Sequence, residues 1–186
     1  MFRVPLRACR VPKNTQHSSW LVVEYSEVKQ YKEKYKFKDK LNDKKDYPKI
    51  KIIPKNLEKK WGKGKFVLPS PLEVNTLMKK VPKGKLTTIN ELRKKLAQKH
   101  RTTTACPIVT GIFAWIAAYA AAEDTRDGKK RITPYWRTLK SDGRINEKYP
   151  GGIQLQKRKL KNEGFKIYSK GKNYFVEDFT TKLIKL

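Results

Sequence analysis

The residue types that could carry chemistry in this chain cluster around Pro134-Tyr135-Trp136-Arg137, with one carboxylate, Glu163, further along before a glycine. A tyrosine hydroxyl is a nucleophile only as phenolate, and its reference pKa of about 10 leaves it mostly protonated at neutral pH. The neighbouring indole donates a hydrogen bond but accepts no proton, so Trp136 is no general base. The chain's two cysteines, Cys9 and Cys106, form no CxxC or Cys/His cluster, and the two histidines, His17 and His100, stand apart. No metal site or disulfide framework is expected, no cofactor is implied, and a reducing cytoplasm is the default compartment. Cys106 next to a helix start, near Lys99, His100 and Arg101, has two readings, an activated thiol or a buried capping residue.

The 186 residues carry 45 Lys plus Arg against 17 Asp plus Glu, a formal charge of +28. Such an imbalance repels itself in a compact state, and an anionic partner relieves it. Nucleic acid is the first partner class expected; a membrane surface or an acidic protein is second. The longest uncharged run, Ala105 to Ala122, is alanine-rich and interrupted by Pro107 and Gly111, and reads as a buried helix and not a membrane span. The N-terminal stretch lacks the apolar run of about 7–15 residues found in secretory signals, and Pro5 and Pro12 interrupt any amphipathic helix; it is expected to be a disordered arm or a misassigned start.

Three segments must position the candidate residues. Residues 1–66 form a basic, partly disordered extension in which Tyr31, Tyr35 and Phe37 alternate with lysines; composition reads as a solvated tether, and the alternative is a nucleic-acid-binding arm. Order is expected from Ser70. A capping box Ser70 to Glu73 with Pro71 opens a helix whose Val74, Leu77, Met78 and Val81 follow helical spacing until Pro82 and Gly84. A second box, Thr88 to Glu91, opens a helix with Leu92 and Leu96 on one face. Pro107 opens a third helix to about Ala122, with Ile108, Phe113, Ile116 and the alanines as its core face; a polar loop, a small wing of strand and turn, and a short helix ending at Gly164 follow. Residues 167–186 close the chain with a β-hairpin turning at Gly171. The expected fold is α-rich with minor β, a winged helix-turn-helix-like domain over residues 67–166.

Several of these motifs, taken together in order, resemble the DNA-binding domain of the 6-O-alkylguanine-DNA alkyltransferases (methylated-DNA–protein-cysteine methyltransferases). "VPKGKLTT" at Val81 to Thr88 is similar to the stretch joining that domain's first two helices, "GIFAW" to its recognition helix, "TPYWRTLKSDG" to its Pro-Cys-His-Arg motif, and "YPGG" with "KLKNEG" to its closing glycines and Glu-Gly. The resemblance implies a recognition helix in the minor groove of double-stranded DNA and rotation of the damaged base into a pocket. It places Tyr135 at the alkyl-accepting cysteine and Trp136 at the histidine, keeps Arg137 and Glu163, and puts Ile89 and Ile108 where a base-rotating tyrosine and a gap-filling arginine stand. The cysteine-less, alkyltransferase-like proteins are the nearest precedent. They imply a non-catalytic DNA-repair protein that recognises alkylated guanine, with nucleotide-excision-repair proteins as partners.

On that footing the lesion pocket comprises Pro134, Tyr135, Trp136, Arg137 and Glu163. The DNA-binding residues are Thr87, Thr88, Ile89, Ile108, Thr110, Gly111, Trp115, Gly151 and Gly152. The chain is expected to be a monomer with no membrane partner. Two alternatives stand beside this reading: an active alkyltransferase using Tyr135 or Cys106 as acceptor, and an RNA-binding or interaction module on the same fold.

Overall fold

The computed structural model describes residues 37–43 and 46–186. It is a mixed helix and sheet arrangement built around one central helix. Helix α1 (Phe37–Asn42) is followed by strand β1 (Lys49–Ile52), helix α2 (Lys55–Trp61) and strand β2 (Lys65–Leu68). Then come α3 (Pro71–Lys79), β3 (Thr87–Thr88), α4 (Ile89–Lys99), β4 (Thr104–Ala105) and the long α5 (Pro107–Arg126). A single 3₁₀ turn, Tyr135–Arg137, leads into β5 (Thr138–Leu139), α6 (Gly152–Asn162) and the hairpin β6 (Ile167–Lys170) and β7 (Asn173–Val176).

The capping box at Ser70 forms as its sequence demands: the Ser70 hydroxyl accepts from the Glu73 amide at 3.2 Å, and the Glu73 carboxylate accepts from the Ser70 amide at 2.9 Å. At Thr88 only the first half of the expected box forms, with the threonine hydroxyl accepting from the Glu91 amide at 3.3 Å. Pro107 occupies the first turn of α5, where a missing N–H costs nothing. Helix α5 is apolar nearly all round, and a helix of that kind has to be enclosed. Helices α1, α3 and α4 pack on it, burying Phe113, Ala114, Ile116, Ala117, Ala118, Ala120 and Ala121. The small side chains let neighbouring backbones come close. None of the described helices is long and apolar enough to cross a membrane.

The structure departs from the sequence expectation at both ends of this core. Ordered structure precedes Ser70: β1 pairs antiparallel with β2, β2 runs parallel to β4, and the boundary expected at residues 66/67 cuts through β2. The lysines had concealed widely spaced apolar anchors, Phe37, Ile53 and Phe66, all buried, while lysine heads stay in water. Residues Tyr31 and Tyr35, assigned to the tether or arm, lie outside the described residues. Helix α5 also continues past Ala122 to Arg126, because its acidic tail has work inside the fold. The Glu123 carboxylate accepts from the Phe37 and Lys38 amides, both at 3.0 Å, filling the open N-terminus of α1. Lys38 pairs with Asp124 at 3.0 Å and with Asp127. Ile108, expected on the core face, is instead 68% exposed, since it lies on the outward face of a first turn whose Val109 and Thr110 turn inward.

A second apolar cluster, Leu86, Leu139, Ile145, Leu160, Phe165 and Val176, joins α6 to the hairpin. The parallel pair β3 and β5, with Thr87 opposite Thr138 and Thr88 opposite Leu139, links the two clusters through the backbone.

Phe37 is 1% exposed and meets the rings of Trp115 and Tyr119 at centroid distances of 5.1 and 4.9 Å. Truncation of so buried an aromatic costs about 3–5 kcal/mol. Phe37→Ala should lower the urea midpoint accordingly, whereas Ile52→Ala, at a position 77% exposed, should leave it nearly unchanged. Equal midpoints for Phe37→Ala and wild type would show that α1 is no part of the core.

Candidate nucleic-acid interface and the aromatic turn

The 3₁₀ turn is held by one carboxylate. Glu163, at the C-terminal end of α6, accepts from Arg137 Nε at 2.9 and 3.0 Å and from Nη2 at 2.8 Å, and from the Trp136 indole Nε1 at 2.7 Å. Arg137 also donates through Nη1 to the Val81 carbonyl at 2.7 Å, and the Gly84 amide reaches Glu163 at 3.4 Å. The loop after α3, the aromatic turn and the end of α6 therefore meet at one ion pair. Its side chains are only 14% and 8% exposed. Burial alone would raise the Glu163 pKa, but the hydrogen bonds from Arg137 and Trp136, with the Arg137 charge, hold it below its ordinary value.

Gln156 supports the turn from the other side. Fully buried, it donates to the Trp136 carbonyl at 2.9 Å and accepts from the Asn146 amide at 2.9 Å. Sequence reading passed over it, although a glutamine between Leu155 and Leu160 on the apolar face of α6 is the kind of polar residue a buried network requires. Thr133 and Asn75, equally unremarked, form a buried 2.6 Å hydrogen bond that ties the approach of the turn to α3.

Pro134, Tyr135, Trp136, Arg137 and Glu163 are brought together, but not as an open cavity around Tyr135. Tyr135 is 2% exposed, with its ring edge-on to Trp136 at 5.5 Å and Tyr149 at 5.8 Å, and its hydroxyl 3.5 Å from the Pro150 carbonyl. Trp136 is half-buried and packs against both apolar clusters, with Arg137 and Lys159 over its ring at 5.4 and 4.7 Å. Glu163 is committed to Arg137 and Trp136.

The residues assigned to DNA contact divide. Thr87, Thr88 and Thr110 are buried, and the Thr110 hydroxyl donates to the Cys106 carbonyl at 2.7 Å, so none presents itself to a duplex in this conformation. Ile89 is half-buried against the main core, and Trp115 is covered by Phe37. Gly151 and Gly152 have φ of +71° and +58° and start α6; a Cβ on Gly151 would meet Leu155 at 2.4 Å, which gives that glycine a packing reason. Ile108 and Gly111, by contrast, lie on the outward face of α5, where Ile112, absent from the sequence assignment, is 48% exposed. Cys106 is buried beside Ile53 and Phe66.

No family model matches the chain, and no curated protein matches it. Among solved structures, S. pombe Atl1 in complex with damaged DNA containing O6-carboxymethylguanine is similar at 19% identity, covering 62% of this chain and 94% of that chain, with a TM-score of 0.42. S. pombe ATL in complex with DNA is similar at 18% identity with the same coverage and a TM-score of 0.45. At these values the likeness assigns no function to this chain.

The Glu163 pair has a pH signature. A carboxyl whose folded pKa is depressed contributes stability that is complete above its unfolded value of about 4.3 and lost as pH falls through the folded value. Near pH 7, Glu163→Gln should be less stable than wild type by about 1–3 kcal/mol, since it leaves the Arg137 charge uncompensated. Urea titrations should show that gap narrowing below about pH 4. A gap independent of pH would mean that the charge of Glu163 does not hold the turn.

Proposed function

We propose that this chain is a non-catalytic double-stranded-DNA-binding protein of the alkyltransferase-like kind, in which α4 and α5 act as a helix-turn-helix and the β6–β7 hairpin as a wing. The observation that carries the reading is the exposed start of α5. Ile108 and Ile112, one turn apart, are 68% and 48% exposed, with Gly111 between them and open space above it. Apolar side chains presented from a helix on a chain of charge +28 suit a minor groove, where such residues wedge between base steps and lysines neutralise phosphates. Ile108 is also the position at which the sequence resemblance puts the residue that fills the gap left by a rotated base.

The aromatic turn supports the non-catalytic part. The position that the resemblance gives to the alkyl acceptor carries a buried phenol, a far poorer nucleophile than the thiolate such a transfer uses. Recognition of an alkylated guanine by stacking then falls to Trp136, the half-buried member of the pair, because Tyr135 offers no free ring face.

Fluorescence anisotropy with labelled duplexes tests this. Affinity should fall steeply with salt, and Ile108→Ala with Ile112→Ala should weaken binding about tenfold, the loss of about 1.4 kcal/mol of apolar contact, while leaving the thermal midpoint in place. Undetectable or salt-insensitive duplex binding would overturn the reading. Equal affinity for matched duplexes with and without 6-O-methylguanine would remove lesion recognition alone. Mass spectrometry after incubation with 6-O-methylguanine DNA should show no added methyl group; a methyl on Tyr135 or Cys106 would make the protein an enzyme after all.

A further inference from the structure

A second feature lies on the other side of the start of α5. One face of α4 and the loop into β4 line an open cavity of about 410 Å³, far larger than the ~30 Å³ share of one water. Its lining includes Asn90, Arg93, Lys94, Gln98, Arg101 and Thr104, three cations and no carboxylate. Arg93 is half-buried at its base. Its Nε donates to the Ala105 carbonyl at 2.9 Å, Nη1 to the Asn90 side-chain oxygen at 3.1 Å and Nη2 to the Thr104 hydroxyl at 3.0 Å.

All three acceptors are neutral, and among the described residues no carboxylate pairs with this guanidinium. Burial lowers the Arg93 pKa, with the Cys106 side chain opposing it. The contrast with Arg137, also half-buried but clamped by Glu163, is direct. A guanidinium has five N–H donors, and these bonds take three, so one N–H on each terminal nitrogen remains. A partly buried, uncompensated charge is costly unless an anion completes it. The two remaining donors, with Lys94 and Arg101 on the same cavity, form a fork of the type that binds phosphate oxygens.

We propose that this cavity is a phosphate site that takes a backbone phosphate of the duplex. This rests on the DNA-binding reading above and extends it. Thr104, which Arg93 holds, stands one helical turn's worth of residues before Ile108, with Cys106 capping α5 between them. A phosphate seated on Arg93 would therefore fix the register of the Ile108 wedge, because both contacts belong to one short, doubly tethered segment. Phosphate contacts of this type position a protein on DNA without reading its sequence.

The test compares the salt dependence of duplex binding for wild type, Lys94→Ala/Arg101→Asn, and a control of equal charge change on α2, Lys59→Ala/Lys60→Ala. Asparagine suits position 101, where φ is +51°. Arg93 itself stays intact, because it also ties α4 to β4. Each phosphate contact contributes a slope of about −0.9 in log K against log salt. The cavity variant should lose about one unit of slope and the control none; equal slopes for both variants would overturn the proposal. If wild type binds no duplex, the DNA reading falls and the cavity is decided separately by thermal unfolding in inorganic phosphate against chloride at matched ionic strength. A rise in midpoint seen in wild type and lost in the cavity variant supports a phosphate site served by another source. No difference between them overturns the site.

Discussion

The Arg137–Glu163 pair is the constraint on which the second half of the molecule depends. A buried ion pair adds little net stability once both charges have been stripped of water, but it permits few geometries. Here it accepts donors from the aromatic turn and from the loop after α3, so three segments distant in sequence have one relative placement. Trp136 exploits that fixity. It packs on both apolar clusters and gives its indole N–H to the same carboxylate. With the carboxylate satisfied and the Tyr135 ring buried, the turn is organised for shape.

Around this point the charge distribution follows a simple rule. Carboxylates near the core are each occupied: Glu73 by its capping box with Lys99 and His100, Glu123 by the amides of α1, Asp124 by Lys38 and Lys129, Glu163 by Arg137. Acidic side chains serve as internal fasteners, and the excess of lysine and arginine is left facing outward. A chain arranged in this way holds together by local pairing while keeping a long-range attraction for polyanions.

What the sequence disclosed followed the strength of its local signals. The Ser70 box, the Pro107 start, the glycine at 164 and the hairpin at Gly171 each have a short-range cause and appear where that cause puts them. Illegible features depended on distant partners. Phe37 looked like one aromatic among lysines because the rings that bury it lie in α5, and Thr110 looked available because nothing local says that its hydroxyl turns back to the Cys106 carbonyl. The orientation of α5 decided the rest: helical periodicity cannot tell which face of an all-apolar helix will be left open, so periodicity put Ile108 inward, the resemblance put it at the DNA, and it stands outward, while Ile112 was overlooked.

The attachment of α1 through Glu123 bears on how a minimal version of this protein would have to be cut. A fragment begun at residue 67, as composition invites, would leave a carboxylate without its amides, expose two aromatic rings on α5 and halve the strand that carries Val67 into the core. A fragment that keeps these contacts starts no later than Phe37. The lysine-rich stretch from there to Lys65 is then a buttress, inseparable from the helix it braces.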